Sequence, residues 1–320
     1  MLPYASAIEP LRAANVIADR PLYTWHHLTP RGLPVQASNG IFLAPDFDWQ
    51  DASSLDYLIV CAGAAVTGFH DAVTLKRLAA LAREGVALGG VSAGTYLLAR
   101  AGLLKGYRFT LHWELAAGFA EEFPDLDLQR CLFEIDRDRL TCSGGAAPLD
   151  MMHALLTRTH GHALAIAVSD WFLQTEVRDG EHPQRMSPVM RFGVRNSAVL
   201  RVISHMEAHL DRPTLGAELA AIAGMSLRQL ERLFQAYLGV TPSAFQLKLR
   251  LEHARALLRQ TELSIMEVAV AAGFANASHF AHAYRHRFGC TPRSDTVRAF
   301  HLIDQPTLRK EAAKRHVLSA

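Results

Sequence analysis

Apolar positions change their period near the middle of the chain. Ahead of residue 180, short apolar runs alternate with stretches whose apolar residues recur every three or four positions; beyond residue 195 only the helical period remains. The runs TWHHLTP (24–30), DYLIVCAG (56–63) and VALGGV (86–91) predict strands. Residues 4–17 predict an amphipathic helix with Ala7, Ile8, Leu11 and Ala14 on one stripe. Residues 72–84 predict a second with Leu75, Leu78, Ala79 and Ala82, and a third starts at Ala93. This alternation implies a parallel sheet with helices on both faces. The segment CLFEIDRDRLTCSGG (131–145) predicts a hairpin turning at 136–138, followed by helices over about 146–160 and 162–173. An open sheet of this type ordinarily has a strand ahead of its first helix, so a chain that opens on a helix is expected to lack that strand, through a shifted start or a truncation.

Between residues 176 and 195, EVRDGEHPQRMSPVMRFGVR, apolar periodicity lapses and Gly, Pro and charge take over, as in an interdomain connection. The expected organisation is an α/β domain over 1–180, a linker over 181–196, an all-α domain over 197–300 and a basic tail over 301–320.

The all-α part repeats itself. LAAIAGMSLRQLERLFQAYLGVTP (219–242) matches VAVAAGFANASHFAHAYRHRFGCTP (268–292), pairing Gly224 with Gly273, Leu230 with Phe280, Phe234 with Tyr284, Gly239 with Gly289 and Pro242 with Pro292. The offset grows from 49 to 50 residues across the turn, so the second copy has a turn one residue longer. Each copy reads as a short helix, a glycine turn and a second helix capped by Ser226 or Asn276, which is a helix-turn-helix. The segment LKLRLEHARALLRQTELS joins them, with Leu247, Leu251, Ala254, Leu257 and Leu258 as its apolar stripe. In the motifs RQLERLF, RLEHARALL, EVAVAAGF and SHFAHAYRHRFG, residues 197–298 resemble the DNA-binding domain of the AraC/XylS transcription regulators. The final TPRSDTVR departs from that family, which more often continues with an aromatic residue and an Arg.

Two reading helices on a rigid connecting helix suit successive major grooves of double-stranded DNA. With Leu230, Leu233 and Phe234 turned to the core, the first leaves Arg228, Gln229 and Arg232 outward. With Phe280, Ala283 and Tyr284 packed, the second leaves Ser278, His279, His282 and Arg285. These seven are the candidate base-edge and phosphate contacts, since Arg pairs with guanine and Gln with adenine. Charge agrees: residues 195–320 hold 17 Lys and Arg against 10 Asp and Glu, a net of +7, whereas residues 1–194 carry a net of −5.

Composition excludes other classes. Half of the 320 residues are apolar, enough for a core in each of two domains. No stretch reaches the roughly 18 apolar residues of a membrane helix and no export signal opens the chain, so a cytoplasmic protein with no membrane role is expected. The four cysteines lack CxxC spacing, and neither His160 with His162 nor His205 with His209 has an acid or cysteine nearby to complete a metal site. No metal and no cofactor are expected.

Ser92, in GGVSAGTY (89–96), lies between a strand and a helix, the geometry of a nucleophile elbow. Such a turn also aims backbone N–H groups and a helix N-terminus at a bound anion. GGVSAGTYLLARAGLLKGYRFTLHWE and CSGGAAPLDMMHAL, with Asp150, resemble the DJ-1/PfpI domain of the GlxA subfamily of AraC-type regulators, over residues 3–172. The resemblance implies a doubly wound, flavodoxin-like sheet of the class I glutamine amidotransferase type. In enzymes of that superfamily the elbow residue is a cysteine, aided by a histidine and an early-helix acid; here Ser92, His112 and Glu9 stand at those places. A sensor that kept the pocket and lost the chemistry follows, not an enzyme, with Ser92, Ala93, Glu9, His112, Trp113 and Gly63 as candidate ligand contacts. Trp113, with Tyr96 or Phe109, would face a cation.

The subfamily implies a small effector such as arginine, a betaine or carnitine, activation of transcription, a homodimer and RNA polymerase as a further partner. The competing readings are a DJ-1/PfpI-type hydrolase or amidase fused to a DNA-binding module, and a constitutive DNA-binding protein whose front half only dimerises.

Overall fold

The computed structural model describes residues 1–47, 49 and 55–296, and the chain divides into two compact units, Met1–Arg185 and one from Met186 onward. The expected tail and the last residues of the expected all-α domain, 297–300, lie outside the described residues.

The first unit opens on helix α1 (Leu2–Ile17), which buries Ala7, Pro10, Ala13 and Ala14. The two-residue strands β1 (Val35–Gln36) and β2 (Phe42–Leu43) follow as a small antiparallel hairpin. The main sheet is built from β3 (Tyr57–Ala62), β4 (Ala87–Ser92), β5 (Phe133–Asp136) and β6 (Arg139–Cys142) in the order β3-β4-β6-β5, with only β5 antiparallel. The β5–β6 hairpin turns through Arg137, at φ 55°, and Asp138, where the sequence predicts it.

Helices cover both faces of this sheet. On one, α2 (Ala72–Arg83), α3 (Gly94–Arg100) and α4 (Ala116–Glu122) bury Leu78, Leu81, Leu98 and Phe119 with Leu88 of β4. On the other, α1 and α5 (Ala147–His160) enclose Val91, Leu140 and Cys142 with Ala7, Met151 and Met152, and α6 (His162–Trp171) extends that layer through Ala165 and Val168. The buried stripe of α2 is Thr74, Leu78 and Leu81, offset from the expected one at Ala79 and Ala82.

The segment TWHHLTP differs from expectation, since none of residues 24–29 lies in a strand. Extended backbone becomes a strand only against a neighbour, and this segment is held through side chains instead. The Tyr4 hydroxyl and His27 Nδ1 lie 2.5 Å apart, the Asp46 carboxylate accepts from the His27 N–H, and Asn15 ties down residues 22 and 23.

The strand-to-helix turn after β4 is packed too tightly for any side chain at two of its glycines. A carbon added on Gly94 would sit 1.8 Å from the Val60 carbonyl oxygen, and one on Gly90 would sit 2.6 Å from the Thr95 backbone. Gly90 and Gly94 are therefore imposed by α3 lying directly on β3 and β4.

In the second unit, α7 (Pro188–Phe192) falls inside the expected linker; Arg191 pins it to Glu207 by two bonds of 2.7 and 2.8 Å. The helix α8 (Ser197–Ala208), capped by Asn196, packs with α9 (Gly216–Ala223) and α10 (Leu227–Leu238) around Val202, Ile203, Leu230 and Phe234. The connecting helix α11 (Pro242–Gln260) leads to α12 (Ile265–Ala271) and α13 (Ala277–Phe288), which bury Val268, Phe280 and Tyr284. Gly224 and Gly273 turn each pair at φ 70° and 73°, a left-handed conformation that glycine adopts without steric cost. Ser226 and Asn276 cap the second helices as predicted, accepting the N–H groups of Gln229 and His279.

Asp295, in the segment that departs from the family, fastens the second copy. Fully buried, it accepts from Arg255, Arg259 and the Tyr284 hydroxyl at 2.7–2.8 Å. Burial pushes its carboxyl up, but the bonds from Tyr284 and Arg259 and the two arginine charges outweigh that and hold it below the ordinary value.

Two measurements check this account. Gly94→Ala is expected to cost about 3 kcal/mol or to prevent the first unit from folding, whereas Gly63→Ala, with open space around its added carbon, stays within about 0.5 kcal/mol; urea unfolding of the whole chain compares them. Asp295→Ala is expected to cost about 1–3 kcal/mol at pH 7. Because the folded-state carboxyl titrates low, its contribution is complete above about pH 4 and is lost as pH falls through the folded value, so the gap between variant and wild type closes in acid.

Candidate functional site

Ser92 ends β4 with φ 60°, a strained conformation for a residue with a side chain. Gly144, at φ 101°, lies against it so closely that a carbon on Gly144 would fall 2.8 Å from the Ser92 Cβ. The elbow is present, but its hydroxyl has no base: among the described residues no hydrogen bond joins Ser92 to a histidine. His112 Nδ1 accepts the Glu114 N–H at 3.3 Å, and burial holds its imidazole below the ordinary value against the raising pull of Glu114. Glu9 is bound at 2.6 and 2.8 Å to Arg12 on the half-exposed side of α1. A serine nucleophile needs the base and its orienting acid in contact, and here His112 and Glu9 are engaged separately with Glu114 and Arg12. The nearby thiols are inert, burial pushing Cys131 up to about 11 and Cys142 up to about 12.

The cavity lies one layer away from the elbow. It encloses about 160 Å³ and is lined by His112, Trp113, Leu132, residues 143–147, Arg178 and Gln184. At a water's share of liquid volume, about 30 Å³, that is room for a molecule of small-amino-acid size. Of the six predicted contacts only His112 and Trp113 line it; Ser92 stands behind Gly144, and Ala93, Gly63 and Glu9 are not in the wall. Tyr96 and Phe109 do not reach it either. Both are fully buried, Tyr96 donating to Glu122 and packing edge-on against Phe119.

Two kinds of polarity meet in the cavity. The N-terminus of α5, which no side chain caps, favours an anion, while the Arg178 guanidinium in the wall is already paired with the buried Asp150. The indole of Trp113 offers a face to a cation, and the Arg185 guanidinium already lies 4.3 Å from its ring centroid.

The side chains that sequence reasoning missed belong to the segment after α6. Asp150, with no side-chain exposure, accepts from Gln174, from the Arg178 N–H and from the Arg178 guanidinium at 2.5–3.0 Å. Gln184 accepts the Trp113 N–H at 2.8 Å and donates to Thr110 Oγ1 and to the carbonyls of Leu111 and Cys131. Residues 174–185 are thus a strap, fastened at both ends, whose two fasteners also line the cavity. Their partners lie 28 to 74 positions away in sequence, so no local signal marks them.

In the second unit the outward faces are those expected. Arg228, Gln229 and Arg232 are exposed on α10, and Ser278, His279, His282 and Arg285 on α13, opposite the buried Leu230, Phe234, Phe280 and Tyr284. Gln229 also serves locally: its side-chain oxygen accepts the Ser226 N–H at 3.0 Å in a capping box. Its amide nitrogen has no partner among the described residues and lies on the exposed face. Arg250, buried on α11, donates to the carbonyls of Ala272 and Gly273 and stacks on Phe274, which locks the second turn against the connecting helix.

Comparison with known proteins identifies relatives for nearly the whole chain. A family model described as a helix-turn-helix domain matches residues 219–296. The HTH-type transcriptional regulator GbdR of Pseudomonas aeruginosa is 44% identical over 298 residues, covering 92% of this chain and 80% of its own. CdhR of the same species is 43% identical, covering 92% and 88%, and GlxA of Rhizobium meliloti is 42% identical, covering 92% and 91%. All three bear the names of regulators, and the hydrolase reading is set aside.

Asp150→Ala is expected to leave Arg178 unpaired and to free the strap, at a cost of about 3 kcal/mol. Limited trypsin digestion should then cut at Arg178 or Arg185 many times faster than in the wild type; equal rates would show that the strap holds without its carboxylate.

Proposed function

The chain belongs to the AraC-type HTH transcriptional regulators, in the group that contains GbdR, CdhR and GlxA, and from that premise we propose that its cavity senses a small zwitterionic amine and so controls DNA binding by the second unit. The observation that carries the effector reading is the pairing, in a cavity of about 160 Å³, of the uncapped start of α5 with an indole face. A betaine, carnitine or arginine presents a carboxylate and a cationic nitrogen to match. Among the described residues no helix is long and apolar enough to cross a membrane, in keeping with action on cytoplasmic DNA.

The DNA reading rests on the two outward faces of α10 and α13 on one rigid frame. The helix α11 has 19 residues and therefore spans about 28 Å, a little under the roughly 34 Å of one DNA turn. Arg228, Arg232, His282 and Arg285 supply phosphate and guanine contacts, and Gln229, Ser278 and His279 complete the base-edge set. The organisation we propose is a sensing and dimerising first domain, a short connector and a DNA-binding domain. A homodimer would place two such domains on paired half-sites, and activation would follow from recruiting RNA polymerase there.

One binding experiment tests both halves. Fluorescence anisotropy of the full chain on DNA from upstream of its own gene is expected to show affinity falling steeply with salt. Arg232→Ala and His282→Ala should each weaken binding by roughly fivefold to a hundredfold. A panel of arginine, glycine betaine, dimethylglycine and carnitine should contain one member that shifts the curve. Variants that bind like the wild type would remove the assigned faces, and indifference to every amine would favour the constitutive reading.

A further inference from the structure

The rule that pairs Gln with adenine needs both ends of the amide, the oxygen accepting from N6–H and the nitrogen donating to N7. On α10 the oxygen of Gln229 is already committed. It accepts the Ser226 backbone N–H at 3.0 Å and the Ser226 hydroxyl at 2.9 Å, which together take both lone pairs of a carbonyl oxygen. The link is reciprocal, since Ser226 Oγ accepts the Gln229 backbone N–H at 3.3 Å. What the side chain has left is two N–H donors and no acceptor, on an exposed stretch of the helix. Among the described residues the second motif has no such pair. There Asn276 alone caps the helix, accepting the N–H of His279, the residue equivalent to Gln229, and the His279 ring turns to Phe274 with 5.6 Å between centroids.

We propose that Gln229 is a specificity-determining residue that reads hydrogen-bond acceptors only, so that it selects a keto base, guanine or thymine, and rejects the adenine that an unconstrained glutamine would take. The inference rests on the DNA reading of α10 and adds the class of base read at one position. Residues at the start of a reading helix lie nearest the base edges, and Gln229 is the third residue of α10. Guanine shows O6 and N7 there and thymine shows O4, all acceptors. Cytosine shows a donor, and adenine sets its N6 donor beside N7. A donor-only side chain therefore meets cytosine N–H to N–H, and at adenine it leaves the N6 donor without an acceptor. Freeing the oxygen for adenine would give up the reciprocal pair that starts α10, so the local fold enforces the choice.

The test is selection of duplexes from a random DNA pool by the full chain, with arginine, glycine betaine, dimethylglycine and carnitine present, followed by sequencing of the bound fraction. The wild type is expected to fix guanine or thymine at one position where Gln229→Ala loosens the preference by roughly twofold to tenfold, the range of one net hydrogen bond. Gln229→Glu keeps one oxygen for Ser226 and puts a second where the amide nitrogen stood. It should therefore exchange the keto base at that position for cytosine or adenine while the other positions hold. Glutamate at the third helical position supports the same capping box, so its thermal melting should match the wild type. Adenine at the position that Gln229→Ala loosens would show that the capping box opens on DNA, and a selected site unchanged in both variants would show that Gln229 reads no base. Either result overturns the proposal and leaves the DNA reading standing. A pool from which nothing is enriched, or a selected site that Arg232→Ala and His282→Ala also leave unchanged, overturns the reading and the proposal together.

Discussion

A carboxylate taken wholly out of water must find enough donors to offset its lost hydration, and in the first unit Asp150 finds four, all from residues 174 and 178. That constraint sets the course of everything after α6. Arg178 is drawn to the start of α5, the strap crosses to Gln184, and Gln184 reaches the backbone around Trp113. The cavity wall, the covered indole and the exit of the chain are successive consequences of one buried charge.

The second unit solves a similar problem in the same way. Asp295 gathers Arg255, Arg259 and Tyr284, so the last described turn closes over the second helix-turn-helix. In both units a late segment is held by an aspartate whose partners come from elsewhere in the chain. Each bond is modest by itself, but removing the shared acceptor strands several donors at once. The two clasps differ in exposure. Arg255 and Arg259 remain about two-fifths exposed or less, so their loss is partly made good by water, whereas the Tyr284 hydroxyl is enclosed.

How much of this was legible in the sequence depends on the range of the interactions. The helix-turn-helix pairs were readable because their signals are local: a 3.6-residue stripe, a glycine forced to positive φ, and caps at Ser226 and Asn276. The cavity was placed one layer off, because the elbow marks where a strand meets a helix and not where space remains; Gly144 fills the position in front of Ser92. His112 and Trp113 were found through their proximity to the family motif, whereas Arg178, Gln184 and Arg185 carry no local pattern. The segment 24–30 shows the reverse error, since its composition suits a strand but a strand is a property of two segments.

The connecting helix α11 carries a consequence of another kind. Its Phe245 enters the core of the first motif and its Arg250 holds the turn of the second, so the two reading helices share one rigid body. In such a body each residue added to the helix would turn the second motif by about 100° and shift it about 1.5 Å, carrying His282 and Arg285 out of register with the DNA contacts proposed for Arg228 and Arg232. On the proposed DNA reading, exchanges of exposed residues along α11 leave the geometry intact, whereas a gain or loss of one residue within it resets the spacing of the two motifs, so the length of the helix, more than its surface, stores the operator's geometry.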